Sequence, residues 1–98
     1  MRRGTTPTHT FLVDLDLTAA QVIYITYSQQ NTPVLSKEIG DITVSADSLV
    51  TRLTQAETLQ FKEREVEIQI RARFSDGTAV ASNIIKTTAE RILKDGVI

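Results

Sequence analysis

The sequence predicts an all-β fold: an antiparallel β-sandwich of immunoglobulin-like size, with about seven strands and one short helical turn near residues 55–60. Residues 65–74 carry most of this reading. Val66, Ile68, Ile70, Ala72 and Phe74 alternate there with Glu65, Glu67, Gln69, Arg71 and Arg73. Successive side chains of a strand point to opposite faces, so this segment has one apolar and one charged face. A helix would scatter the same charges around its circumference. At about 3.3 Å per residue the segment is roughly 30 Å long. Short runs of the same kind recur along the chain between turn signals, the spacing of a sandwich of several strands. Thr54-Gln55-Ala56-Glu57 has the form of a capping box, a threonine followed three residues later by glutamate. It predicts a helical turn that carries the chain from one sheet to the other.

In chain order, residues 1–9 lack periodicity and read as a flexible N-terminal arm, dispensable for stability. Residues 10–93 read as the β-sandwich domain and residues 94–98 as a loose C-terminal tail. The first strand is expected over 10–17, with Phe11, Val13, Leu15 and Leu17 on one face. The second, 21–28, places Ile23, Ile25 and Tyr27 opposite Val22, Tyr24 and Thr26. Both of its faces are fairly apolar, which suits a central position. Residues 29–33 hold turn chemistry. The third strand, 34–39, follows Pro33, and proline suits an edge because it cannot donate to a ladder. Lys37 and Glu38 read there as solubilising charges. Short strands are expected at 42–45 and 49–53. After the helical turn and the long strand, Ser75-Asp76-Gly77 marks a tight turn, and 78–82 begins the returning strand. The pattern favours strand to at least Thr88, with strand and helix both open beyond it, because Thr87 and Glu90 also have capping-box spacing.

The bulk numbers narrow the function. The chain has 98 residues, and 41% are hydrophobic, enough for one core. There is no cysteine, hence no disulfide, thiol nucleophile or zinc thiolate. Eleven basic and twelve acidic residues leave a formal charge of −1, with no long-range attraction to nucleic acid or an anionic membrane. No apolar run approaches the roughly 20 residues needed to span a bilayer, and the N-terminus does not read as a signal peptide.

No constellation of catalytic residues stands out. The single histidine, His9, falls in the arm, where no partner would hold it. Asp14 and Asp16 read as carboxylates that keep a strand's outer face in water, and Asp41 and Asp47 as turn residues. The four glycines are scattered, with no phosphate-binding loop among them. The serines have no histidine on an ordered element to activate them. Arg71 and Arg73 with Glu65 and Glu67 read as a solvated face laced by cross-strand ion pairs. No catalytic residue, cofactor or metal is therefore expected, and the protein reads as a non-enzymatic binding or assembly module. The residues proposed to touch a partner are Arg2 and Arg3 in the arm, and Arg71 and Arg73 on the long strand.

Three stretches, MRRGTTPTHTF at the start, LTQAETLQF (53–61) and VEIQIRARFSDGTAVASNII (66–85), resemble a family of small proteins encoded in phage and prophage structural-gene regions of Gram-positive bacteria. The second half is also similar to small β-sandwich domains of phage baseplate proteins, in the strand, Asp-Gly turn and Ser-containing strand of residues 71–82. The resemblance implies a phage structural or assembly accessory of the tail or baseplate region. Its partner would be another phage structural protein or a second copy of itself. Its place would be the host cytoplasm during assembly, with the virion as a further destination. It assigns no role to any residue. The alternative is a free β-sandwich module that binds carbohydrate or a host surface, for which Tyr24 or Tyr27 would have to be exposed.

Overall fold

The computed structural model describes residues 1–98. In chain order the strands are β1 (Thr8–Leu12), β2 (Val22–Gln29), β3 (Thr32–Glu38), β4 (Thr43–Val44), β5 (Ser48–Arg52), β6 (Glu65–Arg73), β7 (Ala79–Ala81) and β8 (Ile85–Thr88). A 3-10 turn, Ile39–Asp41, joins β3 to β4, and a helical turn α1 (Gln55–Thr58) lies between β5 and β6. Two antiparallel sheets result. One has the order β1-β5-β4; the other runs β3-β2-β6, with β7 and β8 sharing the far side of β6. They form the β-sandwich that the alternation predicts.

The core follows the predicted faces of the two longest strands. Ile23, Ile25 and Tyr27 of β2 and Val66, Ile68, Ile70 and Ala72 of β6 are buried in one cluster with Phe11, Leu49, Leu53 and Phe61. β2 is central, as its two apolar faces suggest, and β3 is an edge strand, as Pro33 requires. The capping box is present: the Thr54 hydroxyl accepts from the Glu57 N–H, and the Glu57 carboxylate accepts from the Thr54 N–H. Gly77 takes a φ of +87° in the turn between β6 and β7.

Several boundaries shift. β1 covers residues 8–12 rather than 10–17. The Asp16 carboxylate accepts from both the amide and the hydroxyl of Thr18, so residues 16–18 form a turn. Leu15 consequently lies exposed, and of the four apolar residues expected on one strand face only Phe11 and Leu17 are buried. The β2–β3 connection is tighter than five residues. Gln30 and Asn31 both adopt positive φ, a two-residue hairpin turn, and Thr32 and Pro33 belong to β3.

The returning strand is broken in two, which raises the strand number to eight. Residues 79–81 pair with 71–73, and residues 85–88 pair with 65–68. Residues 69 and 70 therefore face three residues, 82–84, so one residue is extra: a bulge. The Ser82 hydroxyl fills the gap by accepting the Ile70 N–H at 3.0 Å, while the Gln69 side chain donates to the Ser82 carbonyl at 2.9 Å. Beyond β8 no helix forms: Glu90 bridges to Arg2, and the chain then bends at residues 93, 94 and 96. Ala89 is buried, and its N–H bonds to the Arg64 carbonyl.

The N-terminal residues are not a free arm. Residues 1–3 run parallel to Glu90, with Arg3 N–H bonded to the Glu90 carbonyl and Glu90 N–H to the Met1 carbonyl. Gly4 then turns at φ +70°, where a Cβ would meet Ile92 Cδ1 at 2.9 Å. The chain crosses there to the other sheet and enters β1. At the opposite end the backbone of Ile98 exchanges two hydrogen bonds with the Gln55 side chain, so the last residue of the expected loose tail is anchored.

Candidate interaction face

Of the four arginines proposed for partner contact, the structure commits two to the fold itself. Arg3 Nε donates to the Phe61 carbonyl at 2.6 Å and its terminal nitrogen to the Leu59 carbonyl at 3.1 Å. It satisfies backbone acceptors just after α1, a fixed structural role. Arg2 is more exposed but bonds to the Arg91 carbonyl and pairs with Glu90 at 3.1 Å. Arg71 and Arg73 alone of the four make no side-chain bond within the chain. Both are exposed on the outer face of β6, and neither makes a salt bridge within the chain. The expected lacing of that face by ion pairs is limited to Glu65 with Lys86, at 3.9 Å.

Strand register fixes their surroundings. Glu38, Tyr24, Arg71 and Ala81 form one row across four strands. Val22, Arg73 and Ala79 form the next. Toward the other end lie a row of Ser36, Thr26 and Gln69, and then Ser28, Glu67 and Lys86. The small alanines leave the arginines standing above their neighbours. Val22, Tyr24, Arg71, Arg73 and Ala79 line a shallow depression of about 280 Å³. Tyr24 is 41% exposed there. Tyrosine and arginine side by side on an exposed sheet are the residue types most enriched at protein-binding hot spots.

The other tyrosine and the histidine point into the sandwich. His9 sits in β1, not in an arm, and its Nδ1 lies 2.7 Å from the buried Tyr27 hydroxyl. The His9 ring packs against Phe11 and Tyr27, and Tyr27 meets Phe61 edge-on. Burial, helped by the charge of the N-terminal ammonium, lowers the His9 pKa. Burial, and secondarily the Glu57 carboxylate, pushes the Tyr27 phenol well above its ordinary value. The neutral imidazole and the un-ionised phenol tie β1 of one sheet to β2 of the other.

Polar groups that the sequence presents as solvated are also internal. Lys37 is buried on the inner face of β3, with its Nζ 2.8 Å from Glu57 Oε1. Gln29 is buried, and its amide exchanges bonds with the backbone of Lys62 at 2.8 and 2.9 Å. No group of three or more His, Asp or Glu side chains comes together to hold a metal ion.

No protein-family model and no curated protein matches the chain. Among solved structures, the V domain of amphioxus IgVJ-C2 is similar at a TM-score of 0.38 and 16% identity, over 92% of this chain and 97% of that one.

Proposed function

We propose that this protein is a non-enzymatic interaction module, a phage or prophage structural or assembly accessory of the tail or baseplate region that acts through protein–protein contacts. The observation that supports the reading is the outer face of β2 and β6, where Arg71 and Arg73 stand unpaired beside an exposed Tyr24. Two guanidinium groups without a carboxylate of their own chain suit planar, bidentate contacts from a partner. Quantitative mass spectrometry on particles purified from an induced lysate tests the setting, with the peptide 66–71 measured against the major tail protein. Abundance comparable to the tail protein is the expected result for a virion component. A protein plentiful in the cell but missing from both particles and their assembly intermediates refutes the phage reading.

The exposure of Tyr24 favours one second reading, a carbohydrate- or host-surface-binding module in which that ring stacks on a sugar. Tyr27 has no part in it, because its ring is buried. Glycan-array binding that Tyr24→Ala removes would establish this alternative over the first.

A further inference from the structure

The outer face of β6 reads Glu65, Glu67, Gln69, Arg71, Arg73. Reversed in direction it reads as the same pattern with the charges exchanged: two carboxylates, a neutral centre, two guanidinium groups. A strand of this kind is complementary to an antiparallel copy of itself. We propose that the outer face of the β3-β2-β6-β7/β8 sheet is a homodimer interface, its two-fold axis passing through the row that contains Gln69 and Thr26. This deepens the interaction reading above and rests on it, by naming a second copy of this chain as the partner at that face.

With the axis across the strands, β6 lies over the partner's β6 in the opposite direction, and β2 over the partner's β2. Glu67 then meets Arg71 of the partner subunit, and Glu65 meets Arg73 of the partner subunit, each pair occurring twice, as an isologous contact demands. The outer pairs stand about 13 Å from the axis. Aligned sheets cross at about 30°, an offset that arginine and glutamate side chains can span at that distance. Across the whole face the charges balance: Glu38, Glu65 and Glu67 against Arg71, Arg73 and Lys86, all outward by register. The rows that hold Ala79 and Ala81 lie over the rows that hold Thr88 and Lys86, so the small Ala81 faces the row of a long lysine.

The observations on the separate chain agree with this use. Arg71 and Arg73 have valine and tyrosine as cross-strand neighbours on β2 and alanines on β7, so no carboxylate of the chain sits opposite them. The Glu65–Lys86 contact is long, at 3.9 Å, and both side chains are more than half exposed, which leaves Glu65 available. Charges of both signs segregated to opposite ends of one strand stabilise only one stacking direction. A parallel stacking of the same faces would oppose like charges, so the pattern also sets orientation.

The test is sedimentation equilibrium on the purified full chain and two charge-reversed variants, Glu65→Arg/Glu67→Arg and Arg71→Glu/Arg73→Glu. The wild type is expected to dimerise, with an affinity that falls at least tenfold as salt rises from about 50 to about 500 mM. Each variant alone is expected to weaken self-association at least 100-fold, because it places like charges in apposition. An equimolar mixture of the two is expected to recover a heterodimer, which also shows that both are folded. As an independent readout, Gln69→Cys places the chain's sole thiol beside the axis, and a short bismaleimide cross-linker able to span the sheet separation of about 10 Å should give a covalent dimer that retains far-UV circular dichroism. A monomeric wild type at low salt, or variants that dimerise as well alone as mixed, overturns the proposal. A wild-type monomer still found in particles would leave the phage reading intact and remove only the dimer. A dimer absent from particles and their intermediates would do the reverse.

Discussion

Lys37 and Glu57 offer a quantitative check on how the sandwich is closed. Lys37 lies on the inner face of edge strand β3 with its side chain 8% exposed, and Glu57, in α1, is 21% exposed at its side chain. Glu57 Oε1 accepts from both Lys37 Nζ and the Thr54 N–H, each at 2.8 Å. Removing one partner of a fully buried pair costs about 3–5 kcal/mol. Lys37→Met leaves a carboxylate that keeps its Thr54 bond and some water, so its cost should fall below that range, at about 2 kcal/mol. Glu57→Gln strands a more deeply buried ammonium and should cost about 3 kcal/mol. The double variant holds no unpaired charge and should lose only about 2 kcal/mol, so the two sites couple by about 3 kcal/mol. Urea denaturation at pH 7, followed by far-UV circular dichroism, measures all four corners of the cycle. Acid adds a second arm. Burial pushes the Glu57 pKa up, but the hydrogen bonds from Lys37 and Thr54 outweigh it and hold the carboxyl below its ordinary value. Its contribution is therefore full above the unfolded pKa of about 4.3 and is lost as pH falls through the lower folded value. Lys37→Met should flatten that acid limb. Single-variant losses that add to the double within about 0.5 kcal/mol would refute the reasoning, since they would mean the pair does not interact across the gap between β3 and α1.

Three further outcomes follow from the same geometry. Arg3→Ala should cost about 2 kcal/mol in denaturant titration, because two partly buried carbonyls lose a charged donor, whereas Arg2→Ala should stay within about 1 kcal/mol; equal effects would contradict the fixed role of Arg3. Ile68→Asp, at a position only 4% exposed, should abolish the folded circular dichroism spectrum, its buried carboxylate costing at least about 4 kcal/mol, and a cooperative transition in that variant would contradict the inward face of β6. Because the folded pKa of His9 lies below its unfolded value of about 6.5, its contribution is full above that value and lost as pH falls through the folded pKa, a slope that should vanish in His9→Gln; an unchanged slope in the variant would place the titrating group elsewhere.

How much of this was legible depended on what each residue does in the sandwich. β6 and β2 could be read because their apolar residues are buried at a period of two, which is the signal that a strand writes into its sequence. The capping box could be read because its chemistry is local. Lys37, Gln29 and Arg3 could not, since each is buried by a partner at least 20 residues away and a paired polar residue looks the same in sequence as a solvated one. The sequence pattern overextends β1 for a related reason: the alternation from Phe11 to Leu17 runs on through a turn that Asp16 and Thr18 close by hydrogen bonds to the Asp16 carboxylate. His9 reads as part of the arm because nothing near it in sequence announces Tyr27, 18 residues on. Of the candidate face, the charge pattern of β6 was visible, but the register that surrounds it with alanines and tyrosine was not.

The bulge at residues 82–84 has a consequence for the behaviour of the protein at high concentration. A straight returning strand from 78 to 88 would offer an uninterrupted row of backbone donors and acceptors, a template on which another chain could add and then offer its own edge in turn. With one residue out of step, that row is split into segments of three and four residues. Growth along the edge, which has no natural stopping point, is thereby discouraged, whereas two closed faces can still meet once and stop. Removing Asn83 to restore the ladder should promote fibre growth at high concentration, which thioflavin fluorescence and electron microscopy would read against the wild type.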